Sequence, residues 1–425
     1  MASEGSSDCG NRWIIAAAAV LMLVPAGATS AWSLFERQLV RIYYPGQLDR
    51  VTLTFTLATA TFGISAFLGG LWMGRVTPRV VGVAGGFLYG LGVFLAAFSG
   101  HDLTFLYLCY GVVGGIGKGL IYIVPIAVLL KWFPDMRGLV TGIGLMGLGA
   151  GELLIAPLAS DIIAARGVLS AFGILGVLYG LVVITMALFM KNPPSGYQVK
   201  TPRRSAAHAA HPATRAFTLR EAVRSWQWYA LLAMLLLNAT AGYALLSQAA
   251  SMSRAMTGAS VVQATALVSL IAIPNAAGRV LWPWLSDHIG PRRVFLTLLL
   301  LQVVIFLLLP SAHNATAFAV LAGAVLLCYG GGFGTMPAFV ADYFGAEHVG
   351  RVYGLLLAPI GVSALFGPWL LANTRQQAGS YAFALYVLAA VLLCGAILPW
   401  VIRPPTQPHT AGVVPDRGAA KQCAG

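Results

Sequence analysis

The sequence predicts an all-α membrane protein: twelve transmembrane helices in two pseudo-symmetric six-helix bundles. Three observations predict it. Of 425 residues, 58% are hydrophobic and only 9% are charged, with mean hydropathy +0.81, whereas a soluble domain is about a quarter charged. Apolar runs recur along the chain, each long enough to cross a bilayer core of about 30 Å as a helix. A basic hydrophilic segment, residues 191–225, divides those runs six and six. Membrane-spanning β-strands alternate apolar and polar residues and lack such continuous runs, which excludes a barrel.

The first span is expected over residues 13–35, with Pro25 and Gly27 in its middle. Glu4 and Asp8 flank it beside a single Arg12, and it is longer than a signal-peptide core, so it reads as a retained span. Residues 36–50 are polar and aromatic and belong outside. The second span covers 51–73 and ends in a tight basic turn, Gly74-Arg75-Val76-Thr77-Pro78-Arg79. Spans three and four cover 80–99 and 103–130. The segment Lys131-Trp132-Phe133-Pro134-Asp135-Met136-Arg137-Gly138 then leads into spans five and six, at 139–164 and 168–190.

The divider carries Lys191, Lys200, Arg203, Arg204, Arg215, Arg220 and Arg224 against one acid, Glu221. Pro193, Pro194, Pro202 and Pro212 keep its early part irregular, and residues 217–224 suit a short amphipathic helix on the membrane surface. Spans seven to twelve follow at 226–249, 259–285, 294–310, 318–341, 352–372 and 381–402. The domain reading is a bundle over 1–190, a linker over 191–225, a bundle over 226–403 and a tail over 404–425. Pro404, Pro405 and Pro408 mark that tail as disordered.

Charge sets the orientation. With both termini cytoplasmic, 18 of the 26 Lys and Arg lie inside, 6 outside and 2 within spans, as positive-inside sorting requires. We therefore expect a multi-pass protein of the plasma membrane, embedded in its lipid and acting as a monomer. The net charge of +13 is spread over alternate loops and is no nucleic-acid footprint. Cys9, Cys109, Cys328, Cys394 and Cys423 show no metal-ligand spacing, and none is expected in a disulfide. No nucleotide loop, metal cluster or convergent nucleophile–base set argues for an enzyme or a cofactor.

The stretch Ala272 to Arg293 stands out, because it carries Arg279 inside an apolar run. A guanidinium stays charged. In a span it costs about 2.5–3.5 kcal/mol on insertion scales, and such residues face a partner or a wet cavity. Arg279 therefore reads as an anchor for an anion, the alternative being a buried ion pair or carbonyl contact that only joins helices. Lys118 and Glu152 are the other buried charges, each about 20 Å from the inner surface at about 1.5 Å per residue. Equal depth on adjacent helices could bring them together, as a structural ion pair or as a proton-coupling pair in which protonation of Glu152 follows occupancy.

Tyr122 and Tyr329 could donate hydrogen bonds to a carboxylate, or serve only in packing. Asn238 and Asn275 need polar partners in apolar surroundings, and either could orient Arg279 or touch substrate. No histidine lies deep in a span, which argues against a histidine relay.

The two halves repeat. Span two ends in the Gly74 to Arg79 turn and span eight in Asp287-His288-Ile289-Gly290-Pro291-Arg292 followed by Arg293. Two six-helix halves joined by a basic linker resemble the major facilitator superfamily. The Asp287 to Arg293 turn resembles its loop motif between spans eight and nine; in the first copy Gly74 stands where the motif's acid would be. The resemblance implies a central cavity between rocking halves, with Asp287, Arg292, Arg293, Arg75 and Arg79 in gating.

Within the superfamily the chain is similar to the oxalate:formate antiporter and monocarboxylate transporter group. The similarity rests on Ala31-Trp32-Ser33-Leu34-Phe35, Lys131-Trp132-Phe133-Pro134 through Arg137-Gly138, Asn275, Gly278-Arg279, the run Cys328-Tyr329-Gly330-Gly331-Gly332-Phe333-Gly334-Thr335-Met336-Pro337, Tyr353-Gly354 and Phe366-Gly367-Pro368. It implies transport of a small carboxylate with Arg279 on the carboxylate, and a planar fork suits both oxygens. Two departures narrow the class. Where the oxalate carriers have a lysine, this chain has Ile360, and span eleven, taken as residues 352–372, holds no charge. Where animal monocarboxylate carriers have an aspartate, it has Asn275, which cannot titrate. The first favours a monoanion with a small apolar body, such as lactate or pyruvate, carried with protons or by exchange; the second means that any proton coupling runs elsewhere. The substrate-binding candidates are Arg279, Asn275, Tyr122, Tyr329 and Lys118. An oxalate or formate exchanger using Lys118 as a second cation is the first alternative. A multidrug exporter fits less well, because the only deeply buried acid is Glu152.

Overall fold

The computed structural model describes residues 12–28, 32–194, 197 and 216–405, with Val261 and Thr265 in backbone only. Cys9, Cys423, most of the linker and the tail beyond residue 405 lie outside them. Twelve helices among the described residues are long and apolar enough to cross a membrane. Spans 1 to 6 are Arg12–Ile42, Leu48–Trp72, Pro78–Phe98, Leu103–Trp132, Arg137–Arg166 and Val168–Ala187. Spans 7 to 12 are Trp226–Thr257, Val262–Ile289, Pro291–Ser311, Ala315–Phe344, Val349–Ala378 and Ala382–Val401.

All twelve expected spans are present, and several are longer than the apolar run alone. Helix Trp32–Ile42 extends span 1 into the segment expected to be a polar loop. It has one apolar stripe, with Trp32, Phe35 and Leu39 buried, so its charges face outward while the backbone stays helical. Span 7 runs to Thr257 and ends on Gly258 at φ 68. The amphipathic helix of the linker is present as Leu219–Arg224, closed by a capping box between Thr218 and Glu221. Both repeated turns start the next span with proline in its first turn, at Pro78 and Pro291, where the missing N–H costs nothing.

Two spans depart from regular α-helix. Span 4 contains a π-helical stretch, Tyr107–Gly114. Span 11 divides into Val349–Leu357 and Ile360–Ala378. Pro359 sits at that break, where it lacks the N–H a continuous helix needs.

The halves repeat in packing as well as in order. Span 1 packs on 5, 2 on 4 and 3 on 6; span 7 packs on 11, 8 on 10 and 9 on 12. Across the halves, span 5 meets span 8 and span 2 meets the first part of span 11. An even number of spans puts both chain ends on one side. There Asp287 accepts the backbone N–H groups of Gly138 and Leu139, each at 2.7 Å. Beside it Arg137 pairs with Asp342 at 2.8 Å. The halves are thus closed together on the side of the termini.

Candidate functional site

Arg279 lies within span 8, about 15 Å from its terminal-side end at about 1.5 Å per residue. Its side chain is buried, and it points across the junction of the halves toward span 5. There its Nη2 is 3.8 Å from Oε1 of Glu152. The Nε of Arg279 is buried without a hydrogen-bond partner. The pair is long for a bidentate contact, so the guanidinium is neutralised without its fork being filled. The side-chain exposure of Glu152, 15% against 9% for Arg279, leaves the carboxylate the more accessible partner.

Lys118 joins this pair. Glu152 and Arg279 are the two charges that act on its ammonium, whose Nζ also stands 5.3 Å from the centre of the Phe62 ring, a cation–π distance. The depth argument thus placed Lys118 and Glu152 correctly in one neighbourhood. It did not anticipate that Arg279, from the other half, pairs with the same carboxylate.

Four tyrosines surround the charges. Tyr122, one turn beyond Lys118 in span 4, meets the Tyr353 hydroxyl of span 11 at 3.2 Å and sets its ring edge-on to Phe62 at 5.2 Å. Tyr329 of span 10 lies edge-on to Tyr243 of span 7 at 5.6 Å and to Phe333 at 5.2 Å. All four tyrosines are within electrostatic reach of Arg279. The Tyr329 ring fits because Gly242 faces it, and a Cβ there would overlap the ring. Tyr353, Tyr243 and Phe62 were not singled out from the sequence as site residues. Tyr353 appeared only within the resemblance, and the other two look like ordinary packing aromatics along their own helices.

The two asparagines sit differently. Asn238 donates to the Tyr329 carbonyl at 3.1 Å and accepts from Gln302 at 2.7 Å, so it ties spans 7, 9 and 10. Asn275 is buried, packs against Gly330 of span 10 and keeps an Oδ1 without a hydrogen-bond partner.

Of the gating candidates, Asp287 makes the cross-half contact described above. Arg292 donates to the carbonyls of Pro399 and Trp400, at 3.3 and 2.8 Å, which ties span 9 to the end of span 12 within one half. Arg75, Arg79 and Arg293 are exposed on the terminal side. The sequence reading named Arg137 only within the resemblance and placed neither it nor Asp342 and Arg351 in gating. The Arg351 guanidinium lies over Gly74, at one edge of a cavity of about 210 Å³ between spans 2 and 11 that Lys131, Glu347 and His348 also line.

The arrangement offers one guanidinium at the junction of two halves, an accessible acid competing for it, a second cation alongside, and hydroxyls able to donate. Such a set of groups has the chemistry to bind and release a small anion. Among the described residues no group of His, Cys, Asp and Glu is placed to hold a metal ion.

Comparison with known proteins agrees with this fold. A family model described as Major Facilitator Superfamily matches residues 11–256 and 249–424. An uncharacterized MFS-type transporter of Escherichia coli, YhjX, is 27% identical over 83% of this chain and 86% of its own. The oxalate:formate antiporter of Oxalobacter formigenes is 26% identical over 93% of both chains. Apicoplast pyruvate carrier 1 of Toxoplasma gondii is 26% identical over 74% of this chain and 67% of its own. The crystal structure of the E. coli fucose:proton symporter FucP superposes with TM-score 0.67 at 14% identity, covering 91% of this chain and 97% of that one.

Proposed function

Because the chain belongs to the Major Facilitator Superfamily, whose members are membrane transporters rather than enzymes, we propose that it carries a small monocarboxylate of the lactate or pyruvate kind by alternating access. The observation that carries this reading is the Arg279–Glu152 contact across the junction of the halves. A carboxylate entering there competes with Glu152 for the guanidinium. It gains the bidentate geometry that the 3.8 Å contact lacks, with the Tyr122 and Tyr329 hydroxyls able to orient it. Relatives named for oxalate and formate and for pyruvate support a small carboxylate.

The displaced Glu152 has two fates. If it stays charged beside Lys118, the cycle is anion exchange or uniport. If it takes up a proton, the cycle is symport. Positive-inside sorting supports cytoplasmic termini. Opening of the terminal side would then require Asp287 to leave the start of span 5 and Arg137 to leave Asp342.

The oxalate and formate reading is favoured by Lys118, which stands close enough to Arg279 for each to act on the other. One experiment tests both readings: uptake of labelled lactate into proteoliposomes with and without an inward proton gradient, with and without preloaded lactate, oxalate or formate. Gradient-driven or lactate-stimulated uptake supports the proposal. Uptake stimulated only by oxalate or formate supports the alternative, and no carboxylate uptake under any condition rejects both.

A further inference from the structure

Resting on the reading of Arg279 as the carboxylate anchor, we infer that Glu152 limits the site to one carboxylate by occupying Lys118, and that its loss turns the same site toward dicarboxylates. Three formal charges meet at this depth: Lys118 from span 4, Glu152 from span 5 and Arg279 from span 8. Tyr329 of span 10 also lies within the field of Glu152. Their sum is one positive charge. In a low-dielectric site an uncompensated charge is costly, so the preferred ligand brings the sum to zero. With Glu152 charged, that ligand is a monoanion. A dianion leaves one negative charge in excess and faces a carboxylate of the protein.

Placement makes Lys118 a second cation in waiting. It stands one turn from Tyr122 on span 4, and the field of Arg279 reaches both residues. The Phe62 ring holds the ammonium from another side, so loss of Glu152 leaves Lys118 seated among the same neighbours. Span 11, where the resemblance leads one to look for a second cation, has Ile360, fully buried. The second positive charge is therefore present on the opposite half and cancelled by Glu152.

The test measures uptake of labelled lactate and of labelled oxalate into proteoliposomes by the parent, Glu152→Gln and the double variant Lys118→Gln/Glu152→Gln. The readout is the ratio of oxalate to lactate uptake. In Glu152→Gln the ratio is expected to rise by about ten-fold or more, the scale of exchanging a repulsive charge pair for an attractive one. In the double variant the sum is again one positive charge. Absolute rates fall, but the ratio returns toward the parent's. A parent that carries lactate while Glu152→Gln keeps its ratio overturns the role of Glu152 and leaves the monocarboxylate reading standing. A parent that carries no monocarboxylate overturns that reading itself. If Glu152→Gln fails to assemble, the double variant decides: an oxalate-preferring double variant overturns the charge argument, and a lactate-preferring one supports it.

Discussion

The guanidinium of Arg351, at the start of span 11, lies over Gly74 at the end of span 2. Gly74 stands in the first half where Asp287 stands in the second. The two faces of the terminal-side closure are therefore built differently. On the face of spans 5 and 8 an acid holds two N–H groups at a helix start; on the face of spans 2 and 11 a cation covers a glycine. Gly74→Asp supplies the missing acid. A Cβ there meets only the far end of a flexible side chain, which can swing aside and pair. An exposed pair is worth about 0.2–1 kcal/mol, so turnover is expected to slow by up to about five-fold as the closed state gains. Spin labels at Arg79→Cys and Arg293→Cys should report a larger closed population, and an unchanged distance distribution refutes this account.

Asp287→Asn should act in the opposite sense. It keeps the shape but removes the negative charge that faces the start of span 5. Loss of a charged helix cap costs about 1–2 kcal/mol, enough to raise the open population about five- to thirty-fold. The same label pair reads the shift, and turnover becomes limited by return to the closed form.

Tyr353→Phe removes one hydroxyl of the Tyr122–Tyr353 contact, which joins buried side chains of opposite halves at 3.2 Å. About 0.5–1.5 kcal/mol of cross-half attachment is lost, while the Tyr122 hydroxyl is freed for substrate. Lactate exchange should therefore speed up with KM unchanged or lower. A raised KM in this variant places Tyr353 on the substrate instead.

Arg279→Lys keeps the charge and loses the planar fork. We expect kcat/KM for lactate to fall about ten- to a hundred-fold, the value of a charged hydrogen bond. The variant should still elute as a single species in detergent. Parent-like uptake kinetics contradict the assignment of this residue as anchor.

Asn238→Leu separates support from binding. Asn238 bridges the Tyr329 carbonyl and Gln302 in a buried network, so its loss should cost about 1–3 kcal/mol of stability, seen as a lower melting temperature. KM for lactate should stay within about two-fold of the parent's, since the side chain serves helix packing.

Much of the site was legible because a span tolerates few charges. Arg279, Lys118 and Glu152 are conspicuous in a chain only 9% charged, and depth along each helix follows from its rise per residue. Their pairing was harder to read. Depth ranked Glu152 with Lys118, its neighbour within one half, but depth carries no azimuth. Which face of span 5 turns toward span 8 depends on how the halves dock. Tyr243, Tyr353 and Phe62 were overlooked for the same reason: an aromatic in a span looks alike whether it faces a neighbour, lipid or a site.

The sequence by itself determined the number of spans and their division into repeated halves, and its basic loops carry the expectation of sidedness. Those follow from local costs, an unpaired backbone in oil and a cation outside water, which each segment meets alone. Only the tertiary structure decided that Asp287 reaches the start of span 5, that Arg351 stands over Gly74, and that Glu152 lies between a cation of its own half and one of the other. These contacts join helices far apart in the chain, and their geometry is set by the packing of two bundles against each other, which no single helix encodes.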